Sequence, residues 1–230
     1  MITTEAWLIH QRPLRETSVE LTLFTEAYGL IRAQCRGGLR KWASVLQPFI
    51  PLWVTLIEKR QVFFANQLEL NGPCYSLSGL SLFSGLYCNE LLYYLLPQQE
   101  AEIGLFQSYQ TLIKTLSLPL SQEALETQLR LFEWELLNLS GFGVSLSHTP
   151  DGMTIMPEQY YGFKSDGLYL IKHQVQGYQG AHLLAFLNHE LSPLVLATMK
   201  RFMRQLLSHA LGGRELHSRM LLAGLQSRDC

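Results

Sequence analysis

A short basic segment near the start of the chain carries the strongest chemical signal in the sequence. It reads CRGGLRKWASVLQPFIPL and covers residues 35–52. Cations bind the phosphates of a polyanion without reading its bases, and two adjacent glycines allow backbone angles that are closed to other residues. Such a mobile loop would bring Arg36, Arg40 and Lys41 together on phosphates, while Trp42 stacks on a base. The alternative is a solvated hairpin whose charges only face water and whose tryptophan packs at the rim of a core.

Two further pairs of basic residues extend this polyanion-binding hypothesis. Arg12 and Arg15 fall in a predicted loop and would lengthen the phosphate track. Lys200 and Arg204 are four residues apart in a predicted C-terminal helix, so their side chains are neighbours on its polar side. For each pair the alternative is an ordinary solvated charge.

The first 70 residues predict five short strands, the first of them AWLIHQR, that would position the basic segment. VELTLFT (19–25) and LIRAQCR (30–36) alternate apolar and polar side chains around the turn EAYG, which predicts a hairpin. PLWVTLIEK and QVFFANQLEL predict two more strands on either side of Lys59–Arg60. Five short strands favour a small closed barrel, because an open sheet would leave edges to protect.

The pattern changes to helical after the junction NGPCYSLSGLS, residues 71–81. Apolar residues at helical spacing predict four helices, with Ser121 and Ser192 as N-caps of the last two. Residues 145–180 predict loops with a short hairpin around Asp166–Gly167. We therefore predict an α+β protein: a barrel domain, 1–78, and a mainly helical domain, 79–230, with an irregular, cysteine-free insertion at about 145–180.

Composition limits the classes of function. The chain of 230 residues has net charge −1, and its middle third is acidic while both ends are weakly basic, so any nucleic-acid binding must rest on local patches. We expect no signal peptide and no membrane span. None of the four cysteines forms a C-x-x-C pair, which favours a reducing cytoplasm and no metal. No catalytic motif was found, so we predict no enzyme and no cofactor.

Six motifs in a fixed order carry a family resemblance: RPLRETSVELTLFTEAYG, the basic glycine segment, LQPFIPL, SGLYCNELL, RLFEWELLNLSGFG and LGGRELHSR. The chain resembles the bacterial RecO family of DNA repair and recombination mediators from about residue 5 to 222. The resemblance implies an N-terminal OB-fold barrel and a helical C-terminal domain. It also implies binding of single- and double-stranded DNA, annealing of complementary strands, partnership with RecR and a cytoplasmic, nucleoid-associated location.

The resemblance further implies binding to the acidic C-terminal tail of the single-stranded DNA-binding protein, which helps to load recombinase. Arg130 matches the arginine of the family's R-x-F-E motif, which with a hydrophobic pocket holds the partner's terminal Phe and carboxylate. Leu129 and Phe132 would belong to that pocket, and the alternative is an ordinary Glu126–Arg130 surface pair. Many members carry a four-cysteine zinc module after the GFG position, but this chain has no cysteine there, which matches the zinc-free branch.

Two other functions remain open from the sequence. The chain could be a protein-interaction adaptor with only incidental DNA contact, or a small hydrolase or transferase in an unfamiliar fold. Salt-dependent, sequence-independent binding to single-stranded DNA separates the mediator from the adaptor. Turnover that needs a nucleotide or metal would favour the enzyme.

Overall fold

The structure is a computed structural model that describes residues 1–14, 16–171 and 177–226. By contacts the chain divides into two compact units, one made of Met1–Pro119 with Leu216–Cys230 and the other of Leu120–Glu215. The predicted boundary between residues 78 and 79 stays a prediction, because a division by contacts does not show which segments fold alone. None of the described helices is long and apolar enough to cross a lipid bilayer.

The N-terminal strands form a closed barrel, as predicted. They are β1 (Ile2–Pro13), β2 (Val19–Thr25), β3 (Gly29–Cys35), β4 (Pro51–Lys59) and β5 (Val62–Leu70). The order is β1-β2-β3-β5-β4, with β1 paired to β4 to close the barrel. All pairs are antiparallel except β3 with β5. This is the OB-fold topology that the resemblance implied.

The period-2 pattern divides each strand between the barrel core and its outer surface. Leu21 and Ala33, which are cross-strand partners, are both buried in the core. The register of β1 against β2 shifts between Leu8 and His10. Such a bulge adds one residue and reverses which positions face outward. Glu5 and Trp7 therefore face outward before the bulge, and His10 and Arg12 face outward after it.

Helices supply most of the remaining structure. They are α1 (Gly38–Lys41), α2 (Gly79–Leu95), α3 (Ile103–Leu116), α4 (Gln122–Leu139), α5 (Gly180–Leu187), α6 (Pro193–Ala210) and α7 (His217–Gln226). Both predicted N-caps are confirmed, because Ser121 Oγ accepts from the Ala124 amide and Ser192 Oγ from the Val195 amide. Helix α5 was not predicted, since its sequence GAHLLAFL is almost uniformly apolar and shows no helical period.

A small sheet lies in the 120–215 unit. It consists of β6 (Tyr160–Lys164), β7 (Gly167–Ile171) and β8 (Tyr178–Gln179), in the order β7-β6-β8. The predicted hairpin at Asp166–Gly167 is confirmed by the antiparallel pairing of β6 with β7. Strand β8 was missed because two residues carry no period.

Aromatic side chains from α3 cover one part of the outer barrel surface. Phe24 and Trp7, which are cross-strand partners, are both buried. The Phe24 ring lies 5.4 Å from the ring of Phe106, and the Trp7 ring lies 5.6 Å from that of Tyr109. Burial of rings of this size stabilises the contact between α3 and the barrel.

A polar clamp joins α2 to α7 within the first unit. The Glu90 carboxylate accepts hydrogen bonds from the amides of His217 and Ser218, at 2.8 and 3.0 Å, and from Ser218 Oγ at 2.6 Å. Arg219 lies 5.2 Å over the Tyr87 ring and donates to its hydroxyl. A carboxylate at a helix N-terminus satisfies amides that have no partner within the helix and complements the helix dipole. Two motifs that carried the resemblance, SGLYCNELL and LGGRELHSR, therefore bind each other.

We expect Glu90→Gln to loosen α7. A carboxamide has one acceptor oxygen and cannot replace two carboxylate oxygens, so the loss should be about 1.5–3 kcal/mol of local stability. Hydrogen exchange at the Ser218 amide should accelerate accordingly. The exposed Glu100 provides a control, since Glu100→Gln should leave that amide unchanged. Equal protection in both variants would contradict the clamp.

Candidate nucleic-acid and partner sites

The basic glycine segment forms a helical turn at the end of β3 rather than a hairpin. Gly37 has a φ of 67° and precedes α1, and the amide of Lys41 donates to the Gly37 carbonyl at 2.8 Å. The left-handed angle favours glycine at this position, as predicted. For Gly38 the predicted reason is wrong. Its φ is not positive, and glycine is needed because a methyl group there would overlap Cγ1 of Val19 in the barrel.

The turn presents three exposed cations, Arg36, Arg40 and Lys41. The Lys41 ammonium lies 4.4 Å from the centroid of the Trp42 ring. Trp42 is half-buried and packs against the barrel core, so the structure places it at the rim. The neighbouring Cys35 adds no reactive group, because burial raises the pKa of its thiol to about 11. This end of β3 therefore presents exposed positive charge, the kind of group that can neutralise phosphates.

Arg12 lies in β1, not in a loop as predicted. It is exposed, and its Nε donates to Glu20 Oε1 of β2 at 2.7 Å, a hydrogen bond that raises the pKa of the guanidinium. The register places Arg12, Glu20 and Gln34 on one rung of the outer surface. Glu20 therefore offsets part of the positive charge of Arg12. Arg15 lies outside the described residues.

Two basic features in the barrel were not predicted as parts of the site. Arg32 is exposed on β3, one outer position before Gln34. At the β4–β5 turn, Arg60 and Gln61 have φ values of 50° and 63°, which non-glycine residues rarely adopt. Since β5 runs parallel to β3, with Phe63 opposite Ala33, this turn lies beside the first half of β3. Adjacent basic residues between two predicted strands were the available sequence signal.

These residues define a cationic track along β3. Its members are Arg32, Arg36, Arg40, Lys41, Lys59 and Arg60, all of them exposed. Arg36 follows Arg32 by four positions, which corresponds to about 13 Å of strand. The length of the track would match a few nucleotides of an extended single strand.

The second predicted DNA patch lies on α6 and is partly neutralised. Lys200 Nζ donates to Glu126 Oε1 of α4 at 2.6 Å, and this hydrogen bond lowers the pKa of the Glu126 carboxyl. Arg204 is exposed and makes no ion pair with the residues that the structure describes. Of the two, only Arg204 presents an unpaired charge in this arrangement.

Arg130 forms a buried ion pair with its neighbour on the next turn of α4. Its Nη2 donates to Glu133 Oε1 at 2.5 Å, and the exposed fractions of the two side chains are 8% and 1%. The Glu126 carboxylate is hydrogen-bonded to Lys200, and the nearby charge of Arg130 also lowers its pKa, so the alternative of a Glu126–Arg130 pair stays open. Glu133 was missed, although the i,i+3 spacing of Arg130 and Glu133 could have revealed it.

The other residues of the predicted tail pocket have different environments. Phe132 is buried, with 3% of its surface exposed, whereas Leu129 is half-exposed. Leu129 is thus the most accessible of the three. A partner would reach Arg130 and Phe132 only if neighbouring side chains move aside.

Comparisons with known proteins agree with this architecture. The family model "Recombination protein O N terminal" matches residues 1–73, and "Recombination protein O C terminal" matches residues 77–220. The chain belongs to the RecO family. It is similar to the DNA repair protein RecO of Legionella pneumophila strain Lens, with 40% identity across 94% of this chain and 95% of the relative. The DNA repair protein RecO of Stutzerimonas stutzeri strain A1501 is 39% identical across 96% of this chain and 93% of the relative.

For this RecO-family chain the structure offers no zinc site within its described residues, where no three His, Cys, Asp or Glu side chains group as metal ligands. His148 lies within the predicted insertion and contacts Ser147 Oγ through Nδ1 at 3.0 Å. His173 lies outside the described residues. Structural zinc takes four ligands, usually with several thiolates.

We therefore expect purified protein to contain no stoichiometric zinc, because the segment 145–180 supplies no thiolate. Elemental analysis of protein prepared without chelator measures this directly. A ratio of one zinc per chain, retained after dialysis, would contradict the prediction.

Proposed function

We propose that this RecO-family protein is a recombination mediator that binds single- and double-stranded DNA and anneals complementary strands. It also helps to load recombinase onto DNA coated by the single-stranded DNA-binding protein, in partnership with RecR. The observation that carries the proposal is the cationic track on the outer surface of the OB-fold barrel. Membership of a family whose relatives are named DNA repair proteins supports the same function.

The track suits a phosphate backbone better than a base sequence. Its charged groups are guanidinium and ammonium ions, which neutralise phosphates at any sequence. Arg36, Arg40 and Lys41 follow directly on the end of β3, and Arg60 lies beside its first half. A strand held by its phosphates on an open surface keeps its bases accessible. That arrangement favours pairing with a complementary strand, which is the step that annealing requires.

Two further sets of cations would contact DNA: the outer rung of β1 in the first unit and the α6 patch in the second. Of these cations, we expect Arg204 to contribute most to DNA binding, because Lys200 and Arg12 each donate to a nearby carboxylate. DNA phosphates would have to compete with Glu126 and Glu20 for these two cations. We therefore assign Lys200 and Arg12 supporting roles, since an exposed ion pair contributes only about 0–1 kcal/mol and can exchange.

The tail of the single-stranded DNA-binding protein would bind at α4, with Leu129 at the surface and Arg130 beneath it. A guanidinium can pair with a terminal carboxylate while apolar side chains bury the terminal ring. Glu133 holds Arg130 in place before binding. The protein would act in the cytoplasm, at the nucleoid.

Annealing of complementary oligonucleotides tests the proposal. A donor dye on one strand and an acceptor on the other report duplex formation, first with naked strands and then with strands coated by the single-stranded DNA-binding protein. We expect the protein to accelerate both reactions, and to lose this effect as salt rises. Spontaneous rates in both conditions would overturn the proposal and leave the adaptor as the better function.

A further inference from the structure

The barrel has a second open outer face, whose chemistry is opposite to that of the cationic track. The register of β1, β4 and β5 places Glu5, Trp53 and Glu69 on one rung. The next rung holds Thr3, Thr55 and Gln67. We call these six residues the aromatic–acidic face.

The orientation of this face follows from its neighbours. Ala6 and Leu52, which form the adjacent cross-strand pair, are both buried in the barrel core. Alternation along the strands therefore directs Glu5 and Trp53 outward. Trp53 is 38% exposed, whereas Trp7, two residues after Glu5, is 1% exposed beneath Tyr109. The aromatic side chains that cover Trp7 thus do not extend to the next outer rung, which holds Trp53.

The two carboxylates lie on either side of the indole. Neighbouring strands are about 4.8 Å apart, so the backbones at Glu5 and Glu69 are separated by about 10 Å with Trp53 between them. Gln67 Nε2 donates to Glu69 Oε1 at 2.6 Å, which helps to hold that carboxylate in place. This spacing is wide for two carboxylates that chelate one metal ion, but it accommodates a cationic side chain lying on the ring.

The same protein already places arginine over aromatic rings elsewhere. Arg219 lies over Tyr87 at 5.2 Å, and Arg201 lies over Tyr178 at 5.3 Å. In the described part of the chain, Trp53 has no cation over its ring. An indole attracts cations more strongly than a phenol ring does, and flanking carboxylates add to that attraction.

We propose that the aromatic–acidic face binds a protein partner through an arginine side chain that stacks on Trp53 and pairs with Glu5 and Glu69. Arginine is favoured over lysine because its planar guanidinium stacks on a ring and still donates hydrogen bonds at its edges. DNA is disfavoured, because the two carboxylates repel phosphate. The barrel would then hold DNA on one outer face and a basic protein segment on another. This inference does not depend on the function proposed above.

Nuclear magnetic resonance on the full chain tests the site directly. The Trp53 indole N–H is assigned by its absence in Trp53→Phe. The probe is the capped peptide Gly-Arg-Gly-Arg-Gly, compared with versions that carry lysine or the neutral arginine analogue citrulline. We expect the arginine peptide to move the Trp53 signal, the lysine peptide to bind about threefold more weakly, and the citrulline peptide to have no effect.

Carboxamide variants separate this binding from general attraction to acidic protein. Glu5→Gln with Glu69→Gln keeps the side-chain shapes, so the barrel should remain folded while the arginine peptide binds about tenfold more weakly. Glu100→Gln with Glu190→Gln removes the same charge from exposed positions elsewhere and should leave the affinity unchanged. Equal weakening by both pairs, or a Trp53 signal moved by oligothymidylate but not by the arginine peptide, would overturn the proposal.

Discussion

Arg130→Ala should lower the free energy of unfolding of the 120–215 unit by about 3–5 kcal/mol, because it removes the guanidinium that donates to Glu133 Oε1 while the carboxylate stays buried. Glu133 is 1% exposed, so water cannot replace the lost partner without a rearrangement. Denaturant unfolding followed by circular dichroism measures the change. Arg130→Gln combined with Glu133→Gln should recover much of the loss, since two carboxamides can still hydrogen-bond and carry no charge. Equal destabilisation by the single and double variants would contradict this account.

The Arg130→Gln, Glu133→Gln variant then tests binding of the tail of the single-stranded DNA-binding protein, because its affinity is not confounded by unfolding. If Arg130 receives the terminal carboxylate of the tail peptide, the double variant should bind about ten- to a hundredfold more weakly, which corresponds to about 1.5–3 kcal/mol. Amidating the C-terminus of the peptide removes the carboxylate that Arg130 is proposed to bind, without any change to the protein. Wild-type protein should lose a similar factor with the amidated peptide, and the double variant should lose no more. Independent, additive losses would remove Arg130 from the tail site.

Replacing Arg36, Arg40 and Lys41 together by Ala should reduce the salt dependence of single-strand binding. Each phosphate contact on a single strand contributes about 0.7 to the slope of log affinity against log salt concentration, so the slope should shrink by about 2. Fluorescence anisotropy of a labelled oligothymidylate across a salt series measures the slope. The turn itself should stay folded, because its geometry depends on Gly37 and Gly38.

Two controls distinguish phosphate contact from a structural effect. Arg36→Lys with Arg40→Lys keeps both charges and should preserve the slope. Lys114→Ala removes an exposed charge from α3 and should leave it unchanged. Arg32→Ala should reduce the slope by about 0.7 if the track continues along β3. An unchanged slope in the triple variant would exclude the α1 turn from the DNA site.

The alternation of apolar and polar residues in strands and the N-cap residues of helices were sufficient to predict most of the fold. The barrel strands follow from period-2 segments, and the starts of α4 and α6 follow from Ser121 and Ser192. The polar sequence at the end of β1 resembled a loop, yet Arg12 pairs with Glu20 in the sheet. Only the register of β1 and its bulge show this, and register depends on contacts between distant segments.

The candidate sites were less predictable than the fold. A basic segment can be recognised by composition, but its neighbours in space cannot. Arg60 approaches β3 only because β5 pairs with it in parallel, and Glu133 meets Arg130 inside a helical bundle rather than at its surface. Opposite charges on a helix suggest a pair without revealing its burial, and burial decides whether that pair is weak or strong.

The clamp around Glu90 has a consequence for the order in which the protein folds during synthesis. Its hydrogen-bond donors, the amides of His217 and Ser218, are translated 127 and 128 residues after it. All of the 120–215 unit leaves the ribosome before these donors do. The unit that begins first is therefore the one that is completed last. Until α7 emerges, Glu90 lacks these donors, so the α2 side of the first unit stays incomplete while the whole 120–215 unit is synthesised.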